Sequence, residues 1–427
     1  MTGQEQDRGR TFRIDLWVTI GAYALALLMI VLATQLHAQT FTVLHNFTDG
    51  LDGGSPHAGL VMDSRGNLYG TASEGATKNG HCYPQGCGGV FELKHTKSGW
   101  LFNPLYIFSG KADSGGPYAS LTFGRDGTLY STASGVGTGS CGTVFSMKPP
   151  PAACTSTLCF WTVTTIHSFQ SPNGCTPYSP VIFNQAGNLY GTADDHTGVV
   201  YELSPSNGGW TETVLASFNY GNGAFPGYGS LVFDRAGSLY GTTSGGGDNH
   251  CGQGYGCGVV YQLTPSGSGW TDTTLYQFED GSDGASPEGG VIVDASGNLY
   301  GTSTEGGSGA GGTVFELSPY NGYWNFNLLA SLNGNPNIGG PWDSLVMDAA
   351  GSLYGTTASG GLYGNGAVFK LTPSNGGWTY TSLHDFYCST DGCTPYGSVL
   401  LDANGNIYGT TAGGGAYYHG TVWEITP

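Results

Sequence analysis

The residues of this 427-residue chain that could do acid–base or metal chemistry lie in glycine-rich stretches. The run Asp194-Asp195-His196 places two carboxylates beside an imidazole, an arrangement that supports proton transfer or metal binding. Further carboxylate, imidazole and aromatic candidates interrupt similar stretches: Glu74, Glu305, Trp342, Asp343, Tyr417, Tyr418 and His419. On one shared surface they would form an acidic, aromatic face suited to sugars or peptides, although each alone has the simpler interpretation of a solvated loop residue.

Known catalytic and cofactor motifs give no further lead. The sequence contains no Ser-His-Asp order, phosphate-binding loop or His-Glu-x-x-His motif. Asp49 with Asp52, and Asp280 with Asp283, offer oxygen pairs, but calcium takes about six or more oxygens. Three of the seven equivalent positions hold Asn instead of Asp, as expected of a side chain that caps its own turn. We predict no cofactor and no catalytic residue, with calcium as the alternative.

The composition favours an all-β protein. The chain has 76 Gly, 20 Pro and 26 Tyr with 10% charged residues, and glycine and proline disfavour helices. Its 13% aromatic content supplies enough apolar surface for a packed core. The net charge of −18, with twelve Lys and Arg, excludes a basic nucleic-acid-binding surface. It also argues against contact with anionic lipid headgroups.

An internal repeat is the strongest feature of the sequence. A Leu-Tyr-Gly tripeptide or a close variant recurs with its tyrosine at Tyr69, Tyr130, Tyr190, Tyr240, Tyr300, Tyr354 and Tyr408. A proline precedes each tyrosine by thirteen or fourteen residues: Pro56, Pro117, Pro177, Pro226, Pro287, Pro341 and Pro395. Four residues before each proline lies an Asp or Asn: Asp52, Asp113, Asn173, Asn222, Asp283, Asn337 and Asp391.

Each repeat reads as four short strands. A Leu-Val-Met-Asp-like run, the Leu-Tyr-Gly run, a Gly-x-Val-aromatic run and a Trp-rich run follow one another, separated by Asp/Gly turn signals. Four antiparallel strands per repeat are typical of a β-propeller blade. The run 41–47 matches a fourth strand and the chain ends after a third strand, so strand 41–47 is expected to complete the last blade (399–425). We predict a seven-bladed β-propeller over residues 39–427.

Residues present in every repeat are expected to be structural. The Leu-Tyr-Gly tyrosines occur in all seven copies, which indicates packing between blades because a substrate site would break the symmetry. The same interpretation applies to the tryptophans that begin the fourth strands: Trp100, Trp210, Trp270, Trp324 and Trp378.

The N-terminus carries an export signal. Residues 16–34 are almost wholly apolar and follow an arginine-bearing start, and Ala38 offers a small residue for cleavage before Gln39. Nineteen apolar residues also suffice to span a bilayer. Residues 1–38 are therefore predicted to be a signal peptide or an N-terminal transmembrane anchor, and both place the remainder outside the cytoplasm, secreted, periplasmic or at the cell surface.

Ten cysteines agree with an oxidising compartment. Spacing suggests four local disulfides, Cys82–Cys87, Cys154–Cys159, Cys251–Cys257 and Cys388–Cys393. The repeat brings the remaining two, Cys141 and Cys175, together across adjacent blades. His81 and His250 precede two of the local pairs, but zinc ligand spacing is absent.

The repeat resembles the GloVer tandem repeat of exported bacterial envelope proteins, over about residues 41–427. Asp-Gly-x-x-Pro, Gly-Asn-Leu-Tyr-Gly-Thr-Thr and Gly-x-Val-Phe-x-Leu-x-Pro recur here in order. The resemblance implies export and an anchoring segment of variable type, and it implies no particular activity. The family's C-terminal sorting tail has no counterpart before Pro427, so any anchor is expected at the N-terminus.

Function is predicted from the loop face alone. We expect a non-catalytic binding or interaction module of the cell envelope whose partner is a glycan, a peptide or an envelope protein. The alternative is a polysaccharide-active hydrolase or lyase with carboxylates on the loop face, and a purely structural surface protein is the third. Convergence of Glu74, Asp194, His196 and Glu305 would favour the enzyme.

Overall fold

The computed structural model describes residues 39–76, 82, 84–135, 141–150, 160–247, 251, 254–267, 269–333 and 340–427. In these ranges the chain forms seven four-stranded antiparallel sheets, the blades of a β-propeller, as predicted. The proposed N-terminal segment, with its apolar run 16–34, lies outside the described residues. Among the residues described, no helix has the length and apolar character needed to cross a membrane.

Each of the first six blades takes its four strands consecutively from the chain. Blade one comprises β2 (Val61–Met62), β3 (Leu68–Ala72), β4 (Gly89–Thr96) and β5 (Gly99–Ile107). Blade two comprises β6 (Thr122–Phe123), β7 (Leu129–Ala133), β8 (Thr143–Lys148) and β9 (Thr162–Ser168). Blade three comprises β10 (Ile182–Phe183), β11 (Leu189–Ala193), β12 (Val199–Ser206) and β13 (Gly209–Ser217).

The next three blades repeat this order. Blade four comprises β14 (Val232–Phe233), β15 (Leu239–Thr243), β16 (Val259–Ser266) and β17 (Gly269–Gln277). Blade five comprises β18 (Ile292–Val293), β19 (Leu299–Ser303), β20 (Ala310–Tyr320) and β21 (Tyr323–Asn333). Blade six comprises β22 (Val346–Met347), β23 (Leu353–Thr357), β24 (Ala367–Ser374) and β25 (Gly377–Asp385).

Blade seven combines both ends of the propeller. Its strands β26 (Leu400–Leu401), β27 (Ile407–Thr411) and β28 (Thr421–Thr426) come from the C-terminus, and β1 (Thr40–Asn46) pairs antiparallel with β28. The register joins Thr40 to Thr426 and Asn46 to Thr421. Backbone hydrogen bonds between β1 and β28 therefore close the ring, and β1 covers the edge that β28 would otherwise expose.

Asp-x-x-Gly turns hold the first hairpin in five of the seven blades. In blade four, Asp234 Oδ1 accepts the backbone N–H groups of Ala236 and Ser238 at 2.8 and 2.9 Å. Gly237 adopts a positive φ of 88°, which costs glycine little. The hydroxyl of Tyr240 donates to Asp234 Oδ2 at 3.0 Å, so the repeat tyrosine also fastens the turn.

The repeat tyrosines and tryptophans pack between blades, in agreement with the structural interpretation. Tyr240 of blade four meets Trp324 of blade five at a ring-centroid distance of 6.2 Å. Tyr408 of blade seven meets Trp100 of blade one at 6.1 Å, which continues the pattern across the closure. Each blade thus shares an aromatic contact layer with its neighbour.

Four disulfides match predicted pairs: Cys82–Cys87, Cys141–Cys175, Cys251–Cys257 and Cys388–Cys393. Cys141–Cys175 ties a loop of blade two to the connection that enters blade three. The predicted pair Cys154–Cys159 lies outside the described residues. Because disulfides persist in oxidising compartments, the four pairs indicate an extracytoplasmic environment.

Candidate functional site

A ring of side chains surrounds the mouth of the central channel on the loop face, the face that carries the fourth-to-first and second-to-third strand connections. Each blade contributes the residue that follows its repeat proline, with Gly227 inserted before the blade-four member. In blade order the ring consists of His57, Tyr118, Tyr178, Tyr228, Glu288, Trp342 and Tyr396. The proline fixes the backbone just before each of these residues, so all seven point from equivalent positions.

The aromatic members contact one another around the channel. Centroid distances are 5.0 Å for His57–Tyr118, 5.4 Å for Tyr118–Tyr178, 4.8 Å for Tyr178–Tyr228, 6.0 Å for Tyr228–Trp342, 5.4 Å for Trp342–Tyr396 and 5.1 Å for Tyr396–His57. Tyr228 and Trp342 meet although blade five lies between their blades. Glu288 is thus the one ring member with no aromatic face.

The ring encloses a pocket of about 210 Å³, and the space counted out through its open mouth is about 760 Å³. The next residue in each blade forms the layer below: Ala58, Ala119, Ser179, Gly229, Gly289, Asp343 and Gly397. Six of these residues are small and uncharged, and Asp343 breaks the pattern with a carboxyl group that lines the pocket.

Asp343 is held firmly in place. Its Oδ1 accepts the N–H of Ser344 at 2.6 Å, and its Oδ2 accepts the N–H of Ser398 in blade seven at 2.8 Å. Burial raises the pKa of Asp343, although these backbone hydrogen bonds oppose the shift. A positioned carboxyl with a raised pKa keeps its proton to a higher pH than an ordinary aspartate does.

Glycine beneath the ring makes room for Asp343. A Cβ atom on Gly289 would lie 2.5 Å from the carbonyl carbon and oxygen of Asp343. Since real Cβ contacts do not come this close, Gly289 allows the Asp343 backbone to lie against blade five. A larger residue at position 289 would therefore displace the Asp343 backbone.

A second group of carboxyls lies beside the ring at blades three to five. Burial raises the pKa of Asp194 to about 7. Burial, followed by the charges of Asp194 and Glu305, raises the pKa of Glu288 to about 8. Oδ1 of Asp194 is buried without a hydrogen-bond partner. Asp194 and Glu288 therefore each exchange a proton near neutral pH, and neighbouring negative charge adds to the shift at Glu288.

Glu74 and Glu305, predicted from the sequence, flank the ring. Glu74 Oε2 accepts the hydroxyl of Ser55 at 2.9 Å, and the Glu74 charge acts on His57 and Tyr118. Glu305 is exposed and acts electrostatically on Glu288. The structure brings Asp194 and Glu305 toward Glu288, whereas Glu74 lies on the blade-one side.

Other predicted residues lie outside the pocket. His196 is 80% exposed and contacts the adjacent Asp195 at 2.8 Å. Tyr417 and Tyr418 are exposed, and His419 lies 3.9 Å from Asp49. Trp342 and Asp343 are thus the predicted site residues that line the pocket itself.

The Asp-Gly-x-x-Pro aspartates cap their own turns. Asp283 accepts the N–H groups of Glu279 and Gly281 at 3.0 and 3.2 Å, and Asp52 accepts the N–H of Thr48 at 2.9 Å. In the part of the chain that the structure describes, no group of three or more His, Cys, Asp or Glu side chains could hold a metal ion. Calcium binding stays a prediction.

Sequence reasoning missed most of the ring. The post-proline position was read only in blade six, where Trp342 and Asp343 stand together. Alignment of all seven copies on the proline would have shown an aromatic column interrupted by Glu288, and a small-residue column interrupted by Asp343. The signal for the ring thus lies in departures from the repeat at the post-proline positions, not in the glycine-rich loops.

The fold and the pocket define a disulfide-bonded seven-bladed propeller with an aromatic central site. The chain belongs to the Gloeobacter/Verrucomicrobia repeat family, whose sequence model matches residues 30–255 and 251–427. This confirms the resemblance drawn from the repeat motifs. Among curated proteins, none matches the chain significantly.

Solved structures share the propeller fold at low sequence identity. A protein from Lactobacillus plantarum is 14% identical, with 78% of this chain and 87% of that chain covered and a TM-score of 0.50. A gluconolactonase from Xanthomonas campestris is 13% identical, with 93% and 92% covered and a TM-score of 0.44. A protein assigned as 6-phosphogluconolactonase from Bacteroides uniformis is 14% identical, with 78% and 87% covered and a TM-score of 0.48.

The prediction of a non-catalytic binding module is corrected. Propellers with the names of sugar-lactone hydrolases are among the similar solved structures, although this likeness establishes the fold alone. The pocket also holds a carboxyl, Asp343, that two backbone N–H groups fix in orientation and whose pKa burial raises, and the imidazole of His57 lines the same pocket.

Proposed function

We propose that this chain is an extracytoplasmic hydrolase that cleaves a neutral saccharide in the central aromatic pocket. The observation that carries the proposal is the pocket itself, in which one fixed carboxyl, Asp343, stands inside a closed ring of aromatic faces. Aromatic rings pack against the apolar faces of sugar rings, and a few placed polar groups give orientation.

Asp343 is the proposed proton donor. Cleavage of a glycosidic bond requires a proton on the leaving oxygen, and raising the pKa of a carboxyl lets it hold that proton to a higher pH. Burial supplies this shift at Asp343, and the two backbone N–H groups fix the orientation of the carboxyl.

Electrostatics support an uncharged substrate. The residues that line the pocket include no Lys or Arg in the described part of the chain, and carboxyls lie beside its rim. The protein carries a net charge of −18. An anionic sugar would be repelled, so uronide elimination by a lyase is disfavoured relative to hydrolysis of a neutral glycan.

The pocket shape favours a short saccharide or a chain end. A long internal segment of a polysaccharide needs a groove open at both ends, whereas this ring is closed by contacts between all its aromatic members. We further propose that the apolar segment 16–34 exports the chain as a signal peptide or an anchor, so that it acts at the cell surface or in the surrounding space.

The test is hydrolysis of neutral oligosaccharides by the purified full chain, followed by product analysis. We expect reducing sugars from at least one neutral glycan. Asp343→Asn should lower kcat about 100-fold or more, because the amide keeps the shape but has no acidic proton. Binding, read from Trp342 fluorescence, should persist in this variant.

Asp126→Asn is the matched control, because Asp126 is exposed on a turn away from the pocket. Equal activity of Asp343→Asn and the unaltered chain would overturn the proposed proton donor. Binding of neutral glycans without any cleavage would overturn the proposed function.

A further inference from the structure

His57 stands apart within the aromatic ring. The equivalent position is tyrosine in four blades, tryptophan in one and glutamate in one. The imidazole stacks on Tyr396 at 5.1 Å with an interplanar angle of 11°, and it meets Tyr118 edge-on at 5.0 Å. His57 lines the same pocket as Asp343. Tyrosine would give the same packing, so packing does not explain the histidine.

Hydrogen bonding fixes the tautomer of His57. Nδ1 lies 2.8 Å from the carbonyl oxygen of Ser55 and 3.0 Å from Oγ of Ser73. Because a carbonyl oxygen can only accept, Nδ1 carries the hydrogen. In the neutral ring, Nε2 then keeps its lone pair and is able to accept a proton.

Burial keeps this imidazole neutral. It lowers the pKa of His57, and this effect outweighs the Ser55 carbonyl and the Glu74 carboxylate, which both favour the cation. The titratable groups in contact with His57 inside the ring are the phenols of Tyr118 and Tyr396 on either side. Asp343, Tyr178 and Tyr228 line the same pocket, and Glu288 completes the ring. The pocket therefore pairs an imidazole whose pKa is lowered with a carboxyl whose pKa is raised.

We propose that Nε2 of His57 is the general base that activates the attacking water in this pocket. This inference rests on the proposed hydrolase function and names its second catalytic residue. His57 in blade one and Asp343 in blade six are separated by blade seven, whose Tyr396 contacts both His57 and Trp342. Acid and base thus act from separate walls of one pocket.

The reaction balances in one displacement. Nε2 takes a proton from water, and the water oxygen forms a bond to the anomeric carbon as the bond from that carbon to the leaving oxygen breaks. Asp343 gives its proton to the leaving oxygen. His57 then returns a proton to solvent and Asp343 regains one, so one water is consumed per bond. A single displacement inverts the anomeric configuration.

His57→Tyr is the sharpest variant, because it restores the residue that four other blades carry at this position. We expect a folded propeller with substrate binding retained and kcat lowered about 100- to 10,000-fold. His57→Gln should behave alike. The exposed His95, in the outer hairpin of blade one, provides the control His95→Gln, which should keep full activity.

The pH profile separates a base from a purely structural residue. In the unaltered chain kcat/KM should fall on the acid side below pH 6.5 as His57 takes up a proton, and this limb should vanish in His57→Tyr. For His57→Ala, added imidazole should restore activity. Retention of anomeric configuration, or full activity of His57→Tyr while Asp343→Asn is inactive, would overturn the role of His57 and leave the hydrolase proposal standing.

A substrate-free measurement tests the same claim. Nitrogen-15 NMR of the full chain, with the His57 signals assigned by their loss in His57→Tyr, should show a protonated Nδ1 and a bare Nε2 at pH 7. A hydrogen on Nε2 at pH 7 would overturn the proposal. Failure of the unaltered chain to cleave any neutral glycan would overturn the hydrolase function and the base together.

Discussion

At the residue scale, the carboxyls beside the ring are held at a cost to stability. Asp194 is partly buried, and Oδ1 has no hydrogen-bond partner. An added Cβ on Gly227 would lie 2.5 Å from Oδ2, so the inserted glycine of blade four is what makes room for this side chain. In the described part of the chain no ion pair offsets the burial of Asp194, and its charge raises the pKa of Tyr178 and Tyr228.

Stability should therefore depend on pH through Asp194. Burial raises its pKa to about 7, whereas in the unfolded chain an aspartate ionises near pH 4. Between these values the folded state holds a proton that the unfolded state has lost, so the free energy of unfolding falls as pH rises through this window. Asp194→Asn should raise Tm by about 1–3 °C at pH 8 and change it little at pH 4.

Scanning calorimetry at both pH values checks this expectation. Asp126→Asn is the control, because hydrogen bonds from Thr128 hold the pKa of that exposed carboxyl below its usual value. Its replacement should not stabilise the fold at pH 8. Equal Tm changes for Asp194→Asn at the two pH values would contradict a raised pKa at Asp194.

At the scale of strands, the threonine after each Leu-Tyr-Gly joins neighbouring blades. Its hydroxyl donates to the carbonyl oxygen two residues after the next blade's proline in five blades: Thr71 to Ala119, Thr132 to Ser179, Thr242 to Gly289, Thr356 to Gly397 and Thr410 to Ala58. The equivalent acceptor for Thr302 belongs to Asp343, and the Thr302 hydroxyl is buried without a hydrogen-bond partner. This hydrogen bond between neighbouring blades is thus missing between blades five and six, where Asp343 enters the pocket.

This difference gives a matched pair of valine substitutions. Thr410→Val should lower the free energy of unfolding by about 1 kcal/mol, because it leaves the Ala58 carbonyl without its donor. Thr302→Val should be neutral or stabilising, since it removes a buried hydroxyl that makes no bond. Urea unfolding of both variants measures these free-energy changes. Equal destabilisation of the two would contradict the hydrogen-bond pattern.

The strands could be predicted from the sequence, whereas much of the site could not. Period and turn chemistry placed the four strands of each blade, because Asp-x-x-Gly and alternating apolar residues act locally. Trp342 and Asp343 were recognised as departures from the repeat. Alignment of the repeats shows His57 and Glu288 as exceptions in one column. That the seven members of this column, 50 or more positions apart, meet at one axis becomes visible only in the folded ring.

At the scale of the whole molecule, the propeller depends on the contact of β1 with β28. Phe41 of β1 stacks on His384 of blade six at 3.7 Å and meets Phe386 at 5.8 Å. It also lies 6.1 Å from Trp423 of β28. This single residue therefore connects the N-terminal strand to blade six and to the C-terminal strand β28.

Phe41→Ala should weaken the entire ring. We expect a loss of about 2–3 kcal/mol, below the range for a fully buried phenylalanine because Phe41 is partly exposed. Chemical denaturation should shift to lower denaturant as one transition. Phe160→Ala, at an exposed site, should change the free energy of unfolding little. An equal loss of stability in the two variants would contradict the stabilising role of the Phe41 contacts at the closure.

The register of β1 also determines on which face of the propeller the chain enters after residues 1–38. Asn46 pairs with Thr421 at the loop face, so Thr40 and its partner Thr426 lie at the opposite face. The chain therefore enters the propeller on the side away from the pocket. If residues 16–34 anchored the chain in a bilayer, the membrane would lie on the side opposite the loop face. The aromatic ring around the pocket would then face the medium. Glycan fragments would then reach the site from outside without passing between the protein and its membrane.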